Sequence, residues 1–263
     1  MDLDLAGEAA LVTASSSGLG KASATALARE GADVVINGRD GDRLEAAAEE
    51  VRETATGTVV PVAGDLTDRE AVEGLVERTV EEFGRLDHLV TSAGGPTRLR
   101  FGETTDEDWY GAYDLLVMSV VRAVRTAEPH LRADGGGTVT NVTSRVVKEA
   151  SPSNTLSSSV RMAVIGLEKT LSTELAPEVR ANAVLPGAHR TPRITDGAEA
   201  AVERGEFDSL EAALDARAED VPVGRIGDPM ELGDTVAFIC SPRAGYINGQ
   251  AIVLDGGSGA SNL

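Results

Sequence analysis

Cysteine occurs once in the 263 residues, at Cys240. A single thiol excludes an internal disulfide and any cysteine-based metal cluster, so no metal site is expected, and it fits a reducing compartment. Lysine is nearly missing: Lys21, Lys148 and Lys169 are the only three, and arginine carries the other positive charges. Aromatic residues make up 3% of the chain. No stretch is long or apolar enough to span a bilayer. The opening Met1-Asp2-Leu3-Asp4 does not read as a signal peptide, so a cytoplasmic protein is expected. There is no Pro- or Ser-rich linker and no long charge block. One α/β domain over 1–263 is the expectation.

Acidic residues are abundant: 43 against 24 basic ones, a net charge of −19. Such a surface repels nucleic acid and anionic membrane, so neither is expected as a partner. An acidic, lysine-poor, aromatic-poor composition is also a solubility device in concentrated salt. A halophile's protein is one reading, and a merely acidic mesophilic protein is the other. With 41% hydrophobic residues the chain can bury a large core.

The chain is organised around residues 9–30. Ala9-Ala10-Leu11-Val12 is a short apolar run. It breaks into Thr13-Ala14-Ser15-Ser16-Ser17-Gly18-Leu19-Gly20, and helical periodicity follows to about Glu30, where Gly31 ends it. This spacing predicts a strand, a tight turn and a helix start. Gly18 and Gly20 let backbone approach a ligand, and the free N–H groups of the helix start favour a phosphate. Strand-turn-helix units are common, so the stretch alone is also compatible with an ordinary turn.

Further strands are expected at 33–37, 58–63, 88–92, 138–143, 180–185 and 251–254. Helices are expected at about 42–54, from Thr67 or Asp68 to 83, at 105–132, 156–176, 199–220 and 229–240. Strictly alternating strand and helix means a doubly wound parallel β-sheet of Rossmann type with helices on both faces. Ligands of such sheets bind beyond the carboxyl ends of the strands. That rule selects the Gly18 loop, Asn37-Gly38-Arg39, Asp65-Leu66, Ala93-Gly94, Thr143-Ser144 and Pro186-Gly187. NAD-specific folds often place an acid on the ribose about 20 residues past the loop. Here Gly38 and Arg39 stand in that region, and an arginine suits a 2′-phosphate. NADP(H) is therefore preferred, with NAD(H) possible. Arg39 as a solvated loop arginine beside Asp40 is the alternative.

At this point the chain resembles the short-chain dehydrogenase/reductase family over essentially its whole length. Residues 13–20 look like that family's nucleotide loop, with Ala14 for its first glycine. Asp65-Leu66, Thr91-Ser92-Ala93-Gly94, Pro186-Gly187 with Thr191, and Gly249 to Gly257 match further family segments in order. The likeness is greatest to β-ketoacyl-acyl-carrier-protein reductases and to a divergent subgroup with a run like Val147-Lys148-Glu149 and an imperfect catalytic set. The resemblance implies cofactor contacts at Thr13, Ser15, Ser17, Gly18, Leu19, Gly20, Asp65, Leu66, Ala93, Gly94, Pro186, Gly187 and Thr191. It also implies a homotetramer and a substrate lid at about 193–222.

The family uses Asn, Ser, Tyr and Lys. Ser144 ends the fifth strand as the family's serine does. Where the tyrosine is expected stands Ser157, Arg161 replaces the lysine, and Leu116 falls at the asparagine position. The tyrosines are Tyr110, Tyr113 and Tyr246, none of them in this segment. Serine has no accessible ionisation, and arginine keeps its proton. Ser144, Ser157 and Arg161 are therefore the catalytic candidates for binding a carbonyl and stabilising an alkoxide electrostatically, with Arg161 also a ribose contact. The proton would come from water or from His189. Two readings follow: a nicotinamide-dependent reductase of a small carbonyl or hydroxy substrate, or an NADP(H)-binding pseudoenzyme with a sensing or assembly role.

Overall fold

The computed structural model describes residues 2–133 and 135–261. Seven strands form one sheet: β1 (Ala9–Val12), β2 (Asp33–Gly38), β3 (Val59–Ala63), β4 (His88–Thr91), β5 (Gly137–Val142), β6 (Val179–Pro186) and β7 (Ala251–Leu254). Their order is β3-β2-β1-β4-β5-β6-β7, and every neighbouring pair is parallel. β1 and β4 are buried at every position, as strands covered on both faces must be.

The helices are α1 (Gly18–Arg29), α2 (Gly41–Arg52), α3 (Arg69–Phe83), α4 (Asp106–Tyr113), α5 (Ser119–Leu131), α6 (Thr155–Glu174), α7 (Pro192–Glu203), α8 (Leu210–Ala218) and α9 (Pro229–Cys240). α3, α5 and α6 cover one face of the sheet through an apolar core that includes Leu75, Leu116, Ala127 and Val164. α1, α2 and α9 cover the other through Leu27, Leu44, Val51 and Val236. α1 and α9 cross so closely that a Cβ on Gly233 would lie 2.3 Å from the Ala22 carbonyl oxygen. α2 buries Leu44, Ala47, Ala48 and Val51, the face its 3.6-residue periodicity marks. Asp68 caps α3 by accepting from Glu70 N.

Three elements differ from the sequence expectation. The single helix expected over 105–132 is α4 and α5 joined by a π-helical turn, Asp114–Met118. An Arg122–Asp114 ion pair at 2.6 Å spans that turn, and the Ser119 hydroxyl bonds back to the Leu115 carbonyl. The acidic helix expected over 199–220 is two helices. Gly205, with φ +74°, ends α7, and the Ser209 side chain caps α8 by accepting from Ala212 N. α7 and α8 share a small apolar cluster of their own, built on Ala198, Ala213 and Leu214. β6 runs on through Pro186, whose Cα pairs with Leu254. Proline fits at this last position because the next residue, Gly187, supplies the N–H to the Leu254 carbonyl.

Candidate active site

The loop between β1 and α1 is held by side chains that turn inward. Ser15 Oγ donates to the Val12 carbonyl and accepts from Asn37 N. Thr13 Oγ1 donates to the Ser92 carbonyl and accepts from Ser92 N, tying this loop to the end of β4. Both residues are buried and brace the loop, and neither lines the cleft. Asn37, which the sequence marks only as a strand end, has a larger part. Its Oδ1 accepts from Ala14 N, and its Nδ2 donates to the Val62 and Gly64 carbonyls, so one amide on β2 joins the loop after β1 to the end of β3. A Cβ at Gly20 would lie 2.4 Å from the Ala14 carbonyl oxygen, and Gly18 sits at φ +57°, so both positions require glycine. Ser17 precedes α1 without a side-chain cap, which leaves the first amides of the helix to an occupant of the cleft.

A cleft of about 1160 Å³ opens along the carboxyl ends of the strands. At one end are Ser16, Arg39, Arg43 and Asp65. Hydrogen bonds from the Thr67 backbone and hydroxyl hold the Asp65 carboxyl below its usual range, with Arg39 adding to this at 3.7 Å. Ser17, Gly18, Leu19, Gly20, Leu66, Ala93 and Gly94 line the middle, and Pro186, Gly187 and Thr191 close it from the β6 side.

At the other end stand Ser144, Ser157 and Arg161. Ser144 follows β5 and caps the short turn Arg145–Val147, its Oγ accepting from Val146 N at 3.4 Å. Ser157 and Arg161 lie one turn apart on α6, and Arg161 Nε donates to Ser157 Oγ at 3.2 Å. The Arg161 side chain is buried, and no carboxylate among the described residues pairs with it. Burial, and secondarily the charge of Arg193, pull its pKa down to about 10, so it remains a cation at neutral pH. Leu116 lies in the core below the cleft, and the π turn presents Leu115 to the cleft instead. Tyr113 is half exposed and does not line the cleft.

His189 reaches the cleft wall but is buried. Its ring packs so tightly on Gly227 that a Cβ there would come within 2.7 Å, and its Nδ1 donates to the Gly187 carbonyl. Burial lowers its pKa, so the ring is neutral near pH 7. The ring packs as a support of the β6 loop. Sequence reasoning missed Arg43, Arg98, Arg193 and Arg217, all of which line the cleft. Arg98 lies on a loop and the others in the first or last turn of a helix, where periodicity does not tell which way a side chain points.

A family model described as Enoyl-(Acyl carrier protein) reductase matches residues 13–259. The 3-oxoacyl-[acyl-carrier-protein] reductase FabG of Thermotoga maritima is 32% identical over 254 residues, covering 96% of this chain and 98% of that protein. The crystal structure of L-sorbose reductase from Gluconobacter frateurii, complexed with NADPH and L-sorbose, superposes with a TM-score of 0.94 at 34% identity. It covers 99% of this chain and 100% of its own. Actinorhodin polyketide ketoreductase with NADPH gives a TM-score of 0.88 at 30% identity, covering 97% and 98%.

Proposed function

The chain belongs to the short-chain dehydrogenase/reductase family, and from that premise we propose that it is an NADP(H)-dependent reductase of a small carbonyl substrate. Its site works through Ser144, Ser157 and Arg161. The observation that carries this reading is their opening into the same cleft as the glycine loop and the uncapped start of α1.

The residues present fit the cofactor. Gly18, Leu19 and Gly20 offer backbone amides to a diphosphate. Arg39 is largely exposed, and a surface pair such as Arg39–Asp65 is worth about 0–1 kcal/mol, so the guanidinium is free to turn to a 2′-phosphate with Arg43 beside it. NAD(H) fits the same cleft without that contact. When bound, the cofactor supplies the hydride that reduces the carbonyl carbon. The Ser144 and Ser157 hydroxyls donate hydrogen bonds to the carbonyl oxygen, and the Arg161 cation stabilises the negative charge that develops there. Arg161 keeps its own proton, so the alkoxide takes its proton from water. Mixing the protein and NADPH with a panel of carbonyl compounds tests the reading. Cofactor consumption that needs the substrate and falls at least tenfold in Ser144→Ala supports it. Tight NADPH binding with no consumption supports the pseudoenzyme instead.

Assembly as a homotetramer is part of the same proposal. Tyr110 and Tyr113 on α4 and Met162 on α6 are exposed, as are Tyr246 and Val253 beside the edge strand β7. Those two faces are the ones the family resemblance assigns to subunit contacts. The acidic composition supports a cytoplasmic protein adapted to concentrated salt, and among the described residues no helix is long and apolar enough to cross a membrane. The α7–α8 pair, with its separate cluster, is the proposed substrate lid.

A further inference from the structure

The cleft runs against the charge of the molecule. In a chain of net charge −19, seven arginines line it (Arg39, Arg43, Arg98, Arg145, Arg161, Arg193 and Arg217) against two acids, Asp40 and Asp65. The two acids stand with Arg39 and Arg43 at the end assigned to the 2′-phosphate. Arg145 is offset by Glu149 at 3.5 Å and Asp255 at 3.9 Å. That leaves Arg98, Arg161, Arg193 and, near the end of α8, Arg217; none of them has a carboxylate within ion-pair distance among the described residues, and the first three act on one another.

These three come from different elements. Arg98 lies on the loop after β4, Arg161 on α6, and Arg193 in the first turn of α7. Arg193 is fitted rather than trailing: a Cβ on Gly95 would lie 1.7 Å from its Nη1, so glycine there makes room for the guanidinium. Its Nη2 is 3.5 Å from the Pro96 carbonyl oxygen. Burial lowers the pKa of both Arg193 and Arg161, and the charge of Arg98 lowers that of Arg193 further, as the charge of Arg193 does for Arg161. Arg193 thus feels the like charges of both Arg98 and Arg161, and Arg161 is 7% exposed with a serine hydroxyl as its hydrogen-bond partner. Repulsion of this kind is relieved by an anion bound among them. Arginine forks match the oxygens of a carboxylate or a phosphate in pairs.

We propose that the substrate is itself an anion: a carbonyl compound bearing a carboxylate or a phosphate, gripped by Arg193 and Arg98 while Arg161 faces the carbonyl oxygen. The inference rests on the reductase reading for the word substrate, but binding tests it without turnover. Isothermal titration of the protein saturated with NADP⁺ would compare acetoacetate, its methyl ester and dihydroxyacetone phosphate at one fixed KCl concentration. No reduction can occur with the oxidised cofactor.

The expected result is at least tenfold tighter binding of an anion than of the neutral ester. That preference falls to about threefold or less in Arg193→Gln and in Arg98→Gln, while NADP⁺ affinity stays within threefold of the parent. Acetoacetate and dihydroxyacetone phosphate separate the carboxylate from the phosphate. Equal binding of ester and anions overturns the proposal. So does a loss of NADP⁺ affinity in both variants with the anion preference intact, which would assign these arginines to the cofactor's own phosphates. Anion-selective binding with no reduction by NADPH would leave the anion site standing and refute the reductase reading alone.

Discussion

A buried guanidinium with a serine hydroxyl for company holds a charge that water no longer solvates. Arg161 is that group, and its lowered pKa records the cost. Arg161→Met should therefore raise the thermal stability of the ligand-free protein, by about 1 kcal/mol or more, and abolish carbonyl reduction. Calorimetry beside an activity assay checks both. Installing the pair that the family uses, Ser157→Tyr with Arg161→Lys, adds a tunable acid. Turnover should rise by roughly 10²-fold, the low end of what general acid catalysis contributes. A rise confined to variants that keep cofactor affinity is the expected outcome. At the cofactor end, Arg39→Asp should reverse a preference for NADPH over NADH, read by fluorescence titration at fixed salt. Equal affinities in the parent would refute the role of Arg39. The lining of the cleft was legible wherever a motif fixed the backbone, as at Gly18, Gly20 and Gly187. They were not legible where a side chain had a choice of direction. Thr13 and Ser15 sit in the loop but face inward, and Arg193 sits outside any motif but faces the cleft.

At the scale of elements, α6 carries two of the catalytic candidates, Ser157 and Arg161, on its first turns and a second anomaly further along. Glu168 is 1% exposed, its Oε1 has no hydrogen-bond partner among the described residues, and burial pushes its carboxyl from an ordinary value of 4.5 up to about 7. In the unfolded chain this carboxyl ionises near its ordinary value. The folded protein thus holds a proton that the unfolded chain has lost, and stability falls as pH rises from about 4.5 through about 7. Glu168→Gln should flatten that part of the profile and stabilise the protein above pH 7 by at most about 3 kcal/mol, measured by urea unfolding at a series of pH values. A parent profile that does not decline over this window would contradict the assignment. Element type was readable because apolar residues recur with periods of two and 3.6, as α2 shows. The π turn at Asp114–Met118 was not, because it leaves the apolar periodicity of the long helix almost intact and depends on the Arg122–Asp114 pair and the Ser119 back-bond. The break between α7 and α8 had a local sign in Gly205 and Ser209 that the acidic periodicity obscured.

Over the whole molecule acidic residues outnumber basic ones by 43 to 24, while the cleft lining reverses this with seven arginines against two acids. Self-repulsion of the surface is screened by salt, and charge inside the cleft is screened much less. Stability and assembly should both rise with KCl. Light scattering should find a tetramer in molar KCl and smaller species at low salt, and maximal melting temperature at low salt would contradict this. The central claim is that the cleft transfers a hydride to a carbonyl. NADPH deuterated at its reactive nicotinamide carbon, incubated with the protein and an anionic carbonyl compound such as acetoacetate, tests it most directly. Mass spectrometry of the product should show deuterium on the new carbinol carbon, with the signal lost in Ser144→Ala. Bound NADPH, an occupied anion site and no deuterated alcohol from any carbonyl offered would contradict the account.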